Sequence, residues 1–354
     1  MEKIKYILGI ETSCDDTGVA ICKIEGKKIT LIDAMLSSQI DIHKEYGGVV
    51  PEVASRLHLE NLPILFKEIL NRNNITKEML DAIGVTQGPG LKGSLLMGMN
   101  YSKGLSFALN KPLIGVNHIK AHIMAALLDN QELSFPFLAV VVSGGHTEII
   151  SANSLSDMKV LTKTIDDAAG EAFDKSASLL GFDYPGGASL SRLADTVSDA
   201  YKGTVSSNNL KEIKSKFALP KVMREAKGFS FSGLKTAISL LVKKYQDELQ
   251  DENIKACLCY AIQDAIVDAI IYKTKKILKT PSYKNYKNVV LAGGVAANKC
   301  LRKRFENLQG VNLYLPDFKH CQDNGAMVAY LASKMYLEND FISLDAKVYP
   351  RWEL

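Results

Sequence analysis

The sequence predicts an α/β protein of two related lobes, each with a mixed sheet flanked by helices. Residues 6–10 (YILGI) are an apolar run that ends in the polar turn ETSCDDTG, and apolar character resumes at Val19. Residues 138–150 (LAVVVSGGHTEII) repeat this plan of strand, turn and strand. Two hairpins of one design, about 130 residues apart, indicate a duplicated architecture. A chain of 354 residues is long enough for two such cores.

The first lobe is expected to span residues 1–110, with residues 327–354 returning to pack on it. After the first hairpin, residues 56–71 predict an amphipathic helix and residues 82–86 an apolar strand. The Gly-Pro-Gly triplet at positions 88–90 marks a sharp turn into a helix that carries small residues, which allow close packing.

The second lobe is expected to span residues 111–326 and to hold the metal and substrate site. It begins with a short strand, LIGV, directly before a helix with two histidines, and continues with helices over residues 166–180 and 253–278. Residues 287–298 (KNVVLAGGVAAN) predict a strand, a Gly-Gly turn and the start of a helix, and residues 311–316 a last strand. Residues 202–235 are the least regular stretch.

Three turns rich in glycine or hydroxyl groups follow predicted strands: ETSCDDTG, SGGHT and LAGGVAAN. At such turns, backbone N–H groups can close on phosphate oxygens, and Ser or Thr hydroxyls add further donors. Their order of hairpin, hairpin and strand–helix matches the two phosphate loops and the adenosine loop of the actin-like ATPase (ASKHA) fold. The sequence contains neither GxxxxGK[ST] nor GxGxxG, so a P-loop or a Rossmann dinucleotide fold is not supported.

His118 and His122 stand four apart in NHIKAHIMAALL, a segment without Gly or Pro. This spacing places both imidazoles on one helix face, where they can share a metal ion, although two buried, hydrogen-bonded histidines would give the same pattern. The Glu of the zinc-protease motif HExxH is replaced by Ile119, so a proteolytic metal is disfavoured.

A third metal ligand is predicted at Asp323, in QDNGAM before a helix. The alternative is that Asp323 or Asn324 only caps that helix. Asp15 and Asp16 are rival ligands, or could orient a bound water or the reacting amine, unless they only stabilise their turn.

Bulk composition narrows the class of protein only slightly. A hydrophobic content of 47% and a charged content of 23% are ordinary for a soluble globular chain, and a net charge of +4 is weak evidence for a nucleic-acid partner. The N-terminus predicts a first strand rather than a signal peptide, and the longest apolar run, residues 135–142, is too short to span a bilayer. Six cysteines without a CxxC pair favour free thiols and a cytoplasmic location.

The motifs together resemble the TsaD family, the tRNA threonylcarbamoyladenosine transferases once described as O-sialoglycoprotein endopeptidases. The resemblance covers nearly the whole chain in family order, and the GGVVPE segment is similar to the bacterial branch. The matching stretches are LGIETSCDDTGVA, GGVVPEVASRLH, TQGPGLKGSLLMG, NHIKAH, VVSGGHTEI, AGEAFDKSA, PGG, FSFSGLKTA, LAGGVAANKCLR and DNGAMVA.

The resemblance implies an actin-like fold with a cleft between the lobes. It also implies transfer of a threonylcarbamoyl group from threonylcarbamoyl-adenylate to the N6 amine of the adenosine adjacent to the anticodon. The tRNAs concerned read codons beginning with A, and AMP is released. A TsaB-like paralogue, forming a heterodimer, and a TsaE-like ATPase are the implied partners, and no membrane is involved.

The resemblance also assigns roles to residues. One divalent ion, iron or zinc, is expected on His118, His122 and Asp323. Asp15 and Asp16 are both candidates for the catalytic base. The implied substrate-binding residues are Val141, Val142, Ser143, Gly144, Gly145, Asp174, Gly187 and Asn298.

Two positions depart from the family pattern. Asp16 stands where Glu is usual, which shortens the reach of that carboxylate by one methylene, and Gln322 stands where Thr is common. The alternative functions are a non-catalytic nucleotide-binding scaffold of the same fold, a metalloprotease and a sugar kinase. An intact metal triad argues against the first, the missing Glu against the second, and a histidine helix without a role against the third.

Overall fold

The computed structural model describes residues 3–200, 212, 213, 215–221 and 227–354. Part of the irregular stretch expected at 202–235 therefore lies outside the described residues. The chain divides into two compact units, Met1–Leu133 with Leu315–Leu354, and Ser134–Tyr314.

The first unit contains a five-stranded sheet in the order β3-β2-β1-β4-β5. Strands β1, β2 and β3 form an antiparallel meander, and β4 and β5 join it in parallel. The bounds are β1 Lys5–Glu11, β2 Thr17–Glu25, β3 Lys28–Ser37, β4 Leu80–Gly88 and β5 Leu113–Asn117.

Helices cover this sheet and supply its core. Helix α2 packs on β2 and β3, α3 packs on β4 and on α2, and the last helix, α10, packs on β1, β2, β4 and α4. The bounds are α1 Ile40–Lys44, α2 Pro51–Arg72, α3 Lys92–Leu109, α4 His118–Asp129 and α10 Gly325–Leu337. The apolar side chains between α2 and the sheet, among them Leu8, Ile21 and Ile69, are buried, and their transfer from water is the main stabilising contribution.

The second unit repeats the same sheet plan in the order β10-β9-β6-β7-β8. Strands β6, β7 and β8 form the antiparallel meander, and β9 and β10 are the parallel additions. The bounds of the strands are β6 Phe137–Val142, β7 Thr147–Ala152, β8 Met158–Lys163, β9 Asn288–Ala292 and β10 Asn312–Tyr314. The helices are α5 Ala169–Leu179, α6 Gly187–Ala200, α7 Ser232–Lys244, α8 Glu252–Leu278 and α9 Lys299–Glu306. The predicted pair of related lobes with mixed sheets is confirmed.

The division of the chain differs from the predicted boundary near residue 110. Strand β5 pairs with β4 of the first sheet, and α4 follows it directly and packs against α10. Residues 111–133 and 315–326 therefore belong to the first unit. The histidine helix, expected in the second lobe, is part of the first.

Close packing of α10 on the first sheet depends on two glycines. A Cβ at Gly9 of β1 would overlap the backbone of Ala329, and a Cβ at Gly18 of β2 would lie 2.5 Å from the nitrogen of Gly325. Only a residue without a side chain allows this approach. The glycines thus bring the start of α10 against the end of the first hairpin.

No helix among the described residues is long and apolar enough to cross a membrane.

Candidate metal centre

Helix α4 presents two histidines at its start. The helix begins at His118, and the side chain of Asn117 caps it by accepting a hydrogen bond from the Lys120 N–H at 3.0 Å. His122 follows one turn later, so the two rings meet edge to face with their centroids 4.6 Å apart. Both side chains are almost fully buried.

Asp323 lies immediately before helix α10 and faces these rings. Its Oδ1 is 2.9 Å from His122 Nε2 and 3.6 Å from His118 Nε2. The cap of α10 is Asn324, which accepts from the Met327 N–H at 2.9 Å. Of the two capping alternatives raised by the sequence, the structure assigns this one to Asn324, and the Asp323 carboxylate is directed at the histidines.

These three side chains fit a divalent metal. One ligand atom from each lies within 4.8 Å of the others, and both histidine ligands are buried. Two imidazole nitrogens and a carboxylate oxygen suit zinc or iron, and the set does not choose between them. The ligands come from corresponding places in the duplicated chain, because α4 follows the last strand of the first sheet and α10 follows that of the second.

Glu11 lies behind His118 and was not singled out from the sequence. Its carboxylate is fully buried, with Oε2 3.3 Å from His118 Nδ1. Burial lowers the pKa of His118, but the charges of Asp323 and Glu11 outweigh it and raise this pKa to about 9. For the acid Glu11, burial alone would raise the pKa. The charge and the hydrogen bond of His118 more than offset this effect, so the pKa of Glu11 is lowered from its ordinary value. The sequence signal that could have identified Glu11 is a carboxylate at the end of an otherwise apolar strand.

Asp15 and Asp16 lie in the turn between β1 and β2. Burial raises the pKa of Asp16 to about 6, with further contributions from Asp15, Asp323 and Glu11 and an opposing hydrogen bond from Ser38. Its Oδ1 is buried and has no hydrogen-bonding partner among the described residues. The turn itself is closed by His58, whose Nε2 donates to the Cys14 carbonyl at 2.9 Å while Nδ1 accepts from the Thr17 hydroxyl at 2.7 Å.

The predicted substrate residues all lie in the second unit. Val141 and Val142 are buried at the end of β6, and Ser143 opens the turn to β7, where its N–H donates to the His146 carbonyl at 2.8 Å. A Cβ at Gly144 or Gly145 would meet nothing within 4 Å. Neither packing nor a left-handed backbone requires glycine there, so this part of the turn is open to a ligand.

Helix α5 begins against this turn, where the Gly170 N–H donates to the Ser143 carbonyl at 3.1 Å. The remaining predicted substrate residues stabilise helix starts in the second unit. Asp174 accepts from the Gly187 N–H at 2.8 Å at the start of α6. Asn298 caps α9 and donates to Gln263 Oε1 at 2.8 Å.

One family model matches the chain over residues 30–330, and its description is TsaD, tRNA N6-adenosine threonylcarbamoyltransferase. Two curated proteins of that name are similar over nearly their full length. The one from Thermosipho africanus is 46% identical over 334 residues, covering 93% of this chain and 94% of its own. The one from Thermosipho melanesiensis is 44% identical over 345 residues, covering 96% and 98%.

Solved structures support the fold. T. kodakarensis HypF matches with a TM-score of 0.57 at 16% identity, over 95% of this chain and 48% of HypF. Component A of (R)-2-hydroxyglutaryl-CoA dehydratase from Acidaminococcus fermentans matches with a TM-score of 0.50 at 16% identity, over 93% of this chain and 99% of its own. Both are actin-like ATPase-fold proteins, which confirms the predicted fold class.

Proposed function

The chain belongs to the TsaD family of tRNA N6-adenosine threonylcarbamoyltransferases, and we propose that it performs this transfer with a divalent metal bound in its first unit. As a member of this family it is a transferase that modifies adenosine in tRNA. The observation that supports the metal is the convergence of His118, His122 and Asp323 within 4.8 Å. A metalloprotease would need a general base where the chain has the buried, apolar Ile119.

The donor we propose is threonylcarbamoyl-adenylate, and the reaction is acyl transfer to the N6 amine of the adenosine next to the anticodon, with AMP as the leaving group. A bound zinc or iron ion supplies Lewis acidity toward an oxygen of the donor. The chain supplies position, because His118, His122 and Asp323 would hold the ion, and no protein nucleophile is required. Asp15 and Asp16 are the candidates for accepting the proton of the amine.

Binding of the adenylate is assigned to the turn between β6 and β7. The open space at Gly144 and Gly145 allows backbone N–H groups to approach phosphate oxygens. Val141, Val142, Ser143, Asp174, Gly187 and Asn298 are proposed to complete this subsite.

The test is a transfer assay with purified chain, preformed threonylcarbamoyl-adenylate, unmodified tRNA and cognate partner proteins, read by mass after nucleoside digestion. The variants are His118→Ala and, as a matched control, His43→Ala. His43 is an equally buried histidine that bonds Gln39 and the Val50 N–H, away from the ligand set. We expect product from wild type and the control, and at least about 100-fold less from His118→Ala.

Equal product from all three proteins would remove the metal centre from the reaction. If wild type with verified partners and tRNA yields no product, the non-catalytic scaffold becomes the better explanation. Metal content, measured on the same samples, shows whether the loss in His118→Ala follows loss of the ion.

We also propose that the chain works with a TsaB-like paralogue, as a heterodimer, and a TsaE-like ATPase in the cytoplasm. Helix α2 carries Leu59 and Ile64, which are 60% and 62% exposed, and α3 carries Phe107 at 78%. We propose that a protein partner covers these side chains, since removal of apolar surface from water favours association. Full turnover by the chain alone would contradict the requirement for partners.

A further inference from the structure

Glu11 is a carboxylate in the interior of the first unit. It ends strand β1, where the five residues from Ile7 to Glu11 are all buried, and its side chain has no exposed surface. A buried charge is costly unless it is paired and hydrogen-bonded. The groups that surround Glu11 therefore indicate its role.

Among the described residues, each of the three groups within hydrogen-bonding distance of this carboxylate can give it a hydrogen. The Ser13 N–H donates to Oε1 at 2.5 Å, and the Thr86 hydroxyl donates to Oε2 at 2.6 Å. His118 Nδ1 lies 3.3 Å from Oε2. Because an ionised carboxylate only accepts, the imidazole nitrogen that faces it carries the proton.

A proton on Nδ1 determines what the other nitrogen can do. Nε2 of His118 then has its lone pair available in the neutral ring, and this atom faces Asp323 at 3.6 Å. The second histidine is held differently, because Nδ1 of His122 is buried without a hydrogen-bonding partner among the described residues. The ring of His118 is thus oriented by a hydrogen bond at Nδ1, whereas the ring of His122 lacks such a bond among the described residues.

We propose that Glu11 is a positioning residue that fixes the tautomer and the ring orientation of His118 for metal binding, and that Thr86 holds Glu11 in place. This inference rests on the proposed metal centre. Metal-bound histidines commonly donate their second ring N–H to a carboxylate, and loss of that partner weakens metal binding about 10- to 100-fold.

Replacement by glutamine tests the carboxylate with little change of shape. One oxygen becomes an NH₂ group, which donates. Since Glu11 receives hydrogens on both oxygens, the amide of Glu11→Gln must turn this NH₂ toward Ser13 N–H or toward the Thr86 and His118 pair. Toward Ser13 the NH₂ faces an obligate donor, and toward Thr86 and His118 it removes the acceptor that holds the proton on His118 Nδ1.

Zinc affinity is measured by chelator competition on the purified full chain. We expect Glu11→Gln to bind zinc about 10- to 100-fold more weakly than wild type. The matched control is Asp81→Asn. Asp81 lies on β4, and its carboxylate accepts hydrogen bonds from the Tyr6 N–H and from Lys5 of β1, at the far end of these strands. We expect the control to retain wild-type affinity.

Two further variants separate positioning from general stability. Thr86→Val removes the hydroxyl and keeps the shape, and should weaken zinc binding by a few fold, whereas Thr86→Ser should restore the affinity.

In the zinc-loaded protein, the NMR signal of the His118 Nδ1 proton should lie far downfield in wild type and move upfield in Glu11→Gln. A merely structural role for Glu11 would not move this signal. If Glu11→Gln fails to fold, the Thr86 pair and the wild-type signal decide the matter.

The Ser13 hydroxyl is the competing partner, since its Oγ lies 3.2 Å from the same Nδ1. A loss in Ser13→Ala as large as in Glu11→Gln would overturn the inference, as would equal zinc affinity of wild type and Glu11→Gln. A wild-type chain that binds no zinc or ferrous iron would instead remove the metal centre itself, together with this inference.

Discussion

The two units share one strand order but differ in the turn of their first hairpin. In the first unit, β1 ends on the buried Glu11, and the turn is held by His58 and closely packed. In the second, β6 ends on Val142, and the turn carries two glycines with open space around them. The same topology therefore presents buried carboxylate and imidazole groups in one copy and an open glycine turn in the other.

This difference leads us to expect that the duplicated fold divides the proposed reaction between its two copies. Buried acidic and imidazole groups suit a cation, and open glycine turns suit an anion such as a phosphate. We expect metal affinity to depend on the first unit and nucleotide affinity on the second, and each substitution below tests one side of that separation.

The largest effect is expected at the proposed metal ligands. His122→Ala should weaken zinc binding by more than about 100-fold, beyond the loss caused by an outer partner. The affinity for an adenine nucleotide, measured by calorimetry without added metal, should remain as in wild type. A parallel loss of nucleotide affinity would mean that the two units do not act separately.

The second largest effect concerns packing in the first unit. Gly9→Ala should lower the free energy of unfolding by about 3 kcal/mol, because its Cβ overlaps the backbone of Ala329 in α10. Gly104→Ala, in helix α3 with nothing within 4 Å, should leave stability unchanged or raise it slightly. Denaturant unfolding measures both variants, and similar curves would contradict the packing argument.

A smaller effect is expected from the open turn of the second unit. Gly144→Val should leave folding and zinc affinity unchanged, since a side chain has room there. It should weaken an adenine nucleotide about tenfold, the equivalent of roughly 1.4 kcal/mol of steric interference. Unchanged nucleotide affinity of Gly144→Val would mean that the phosphates do not bind at this turn.

The smallest effect is a dependence of stability on pH in the first unit. Burial lowers the pKa of His58, against the opposing hydrogen bond to the Cys14 carbonyl. The unfolded chain therefore binds this proton more readily, so stability is complete above the unfolded pKa of about 6.5 and decreases as the pH falls through it. His58→Gln should show a shallower decrease between pH 7 and 5 in denaturant unfolding. Parallel curves for wild type and His58→Gln would contradict this assignment.

Much of the fold could be predicted from local patterns. Both hairpins and the strand before Gly293 were recognised from apolar runs bounded by small or polar residues. Helix α2 begins at Pro51 rather than at the predicted residue 56, because proline is well tolerated in the first turn of a helix. The unit boundary could not be predicted, since the run LIGV does not reveal which sheet it joins.

The candidate site divides along a similar line. The spacing of His118 and His122 is a helical pattern, so the sequence predicts that both lie on one helix face, and the position of Asp323 before a helix makes it a candidate third ligand. The role of Glu11 could not be predicted from the sequence, because it depends on contacts with Thr86 and His118, which lie 75 and 107 positions further along the chain. Periodicity carries no information about such contacts.

The order of synthesis has a consequence for when the proposed metal centre can assemble. The first unit is interrupted in sequence by the whole of Ser134–Tyr314. His118 leaves the ribosome long before Asp323 and before α10, against which α4 packs. The inserted unit can fold while the earlier segment still lacks its closing helix. Loading of the proposed metal centre would thus be a late event in biogenesis, and a nascent chain that stops short of α10 has both histidines but lacks Asp323.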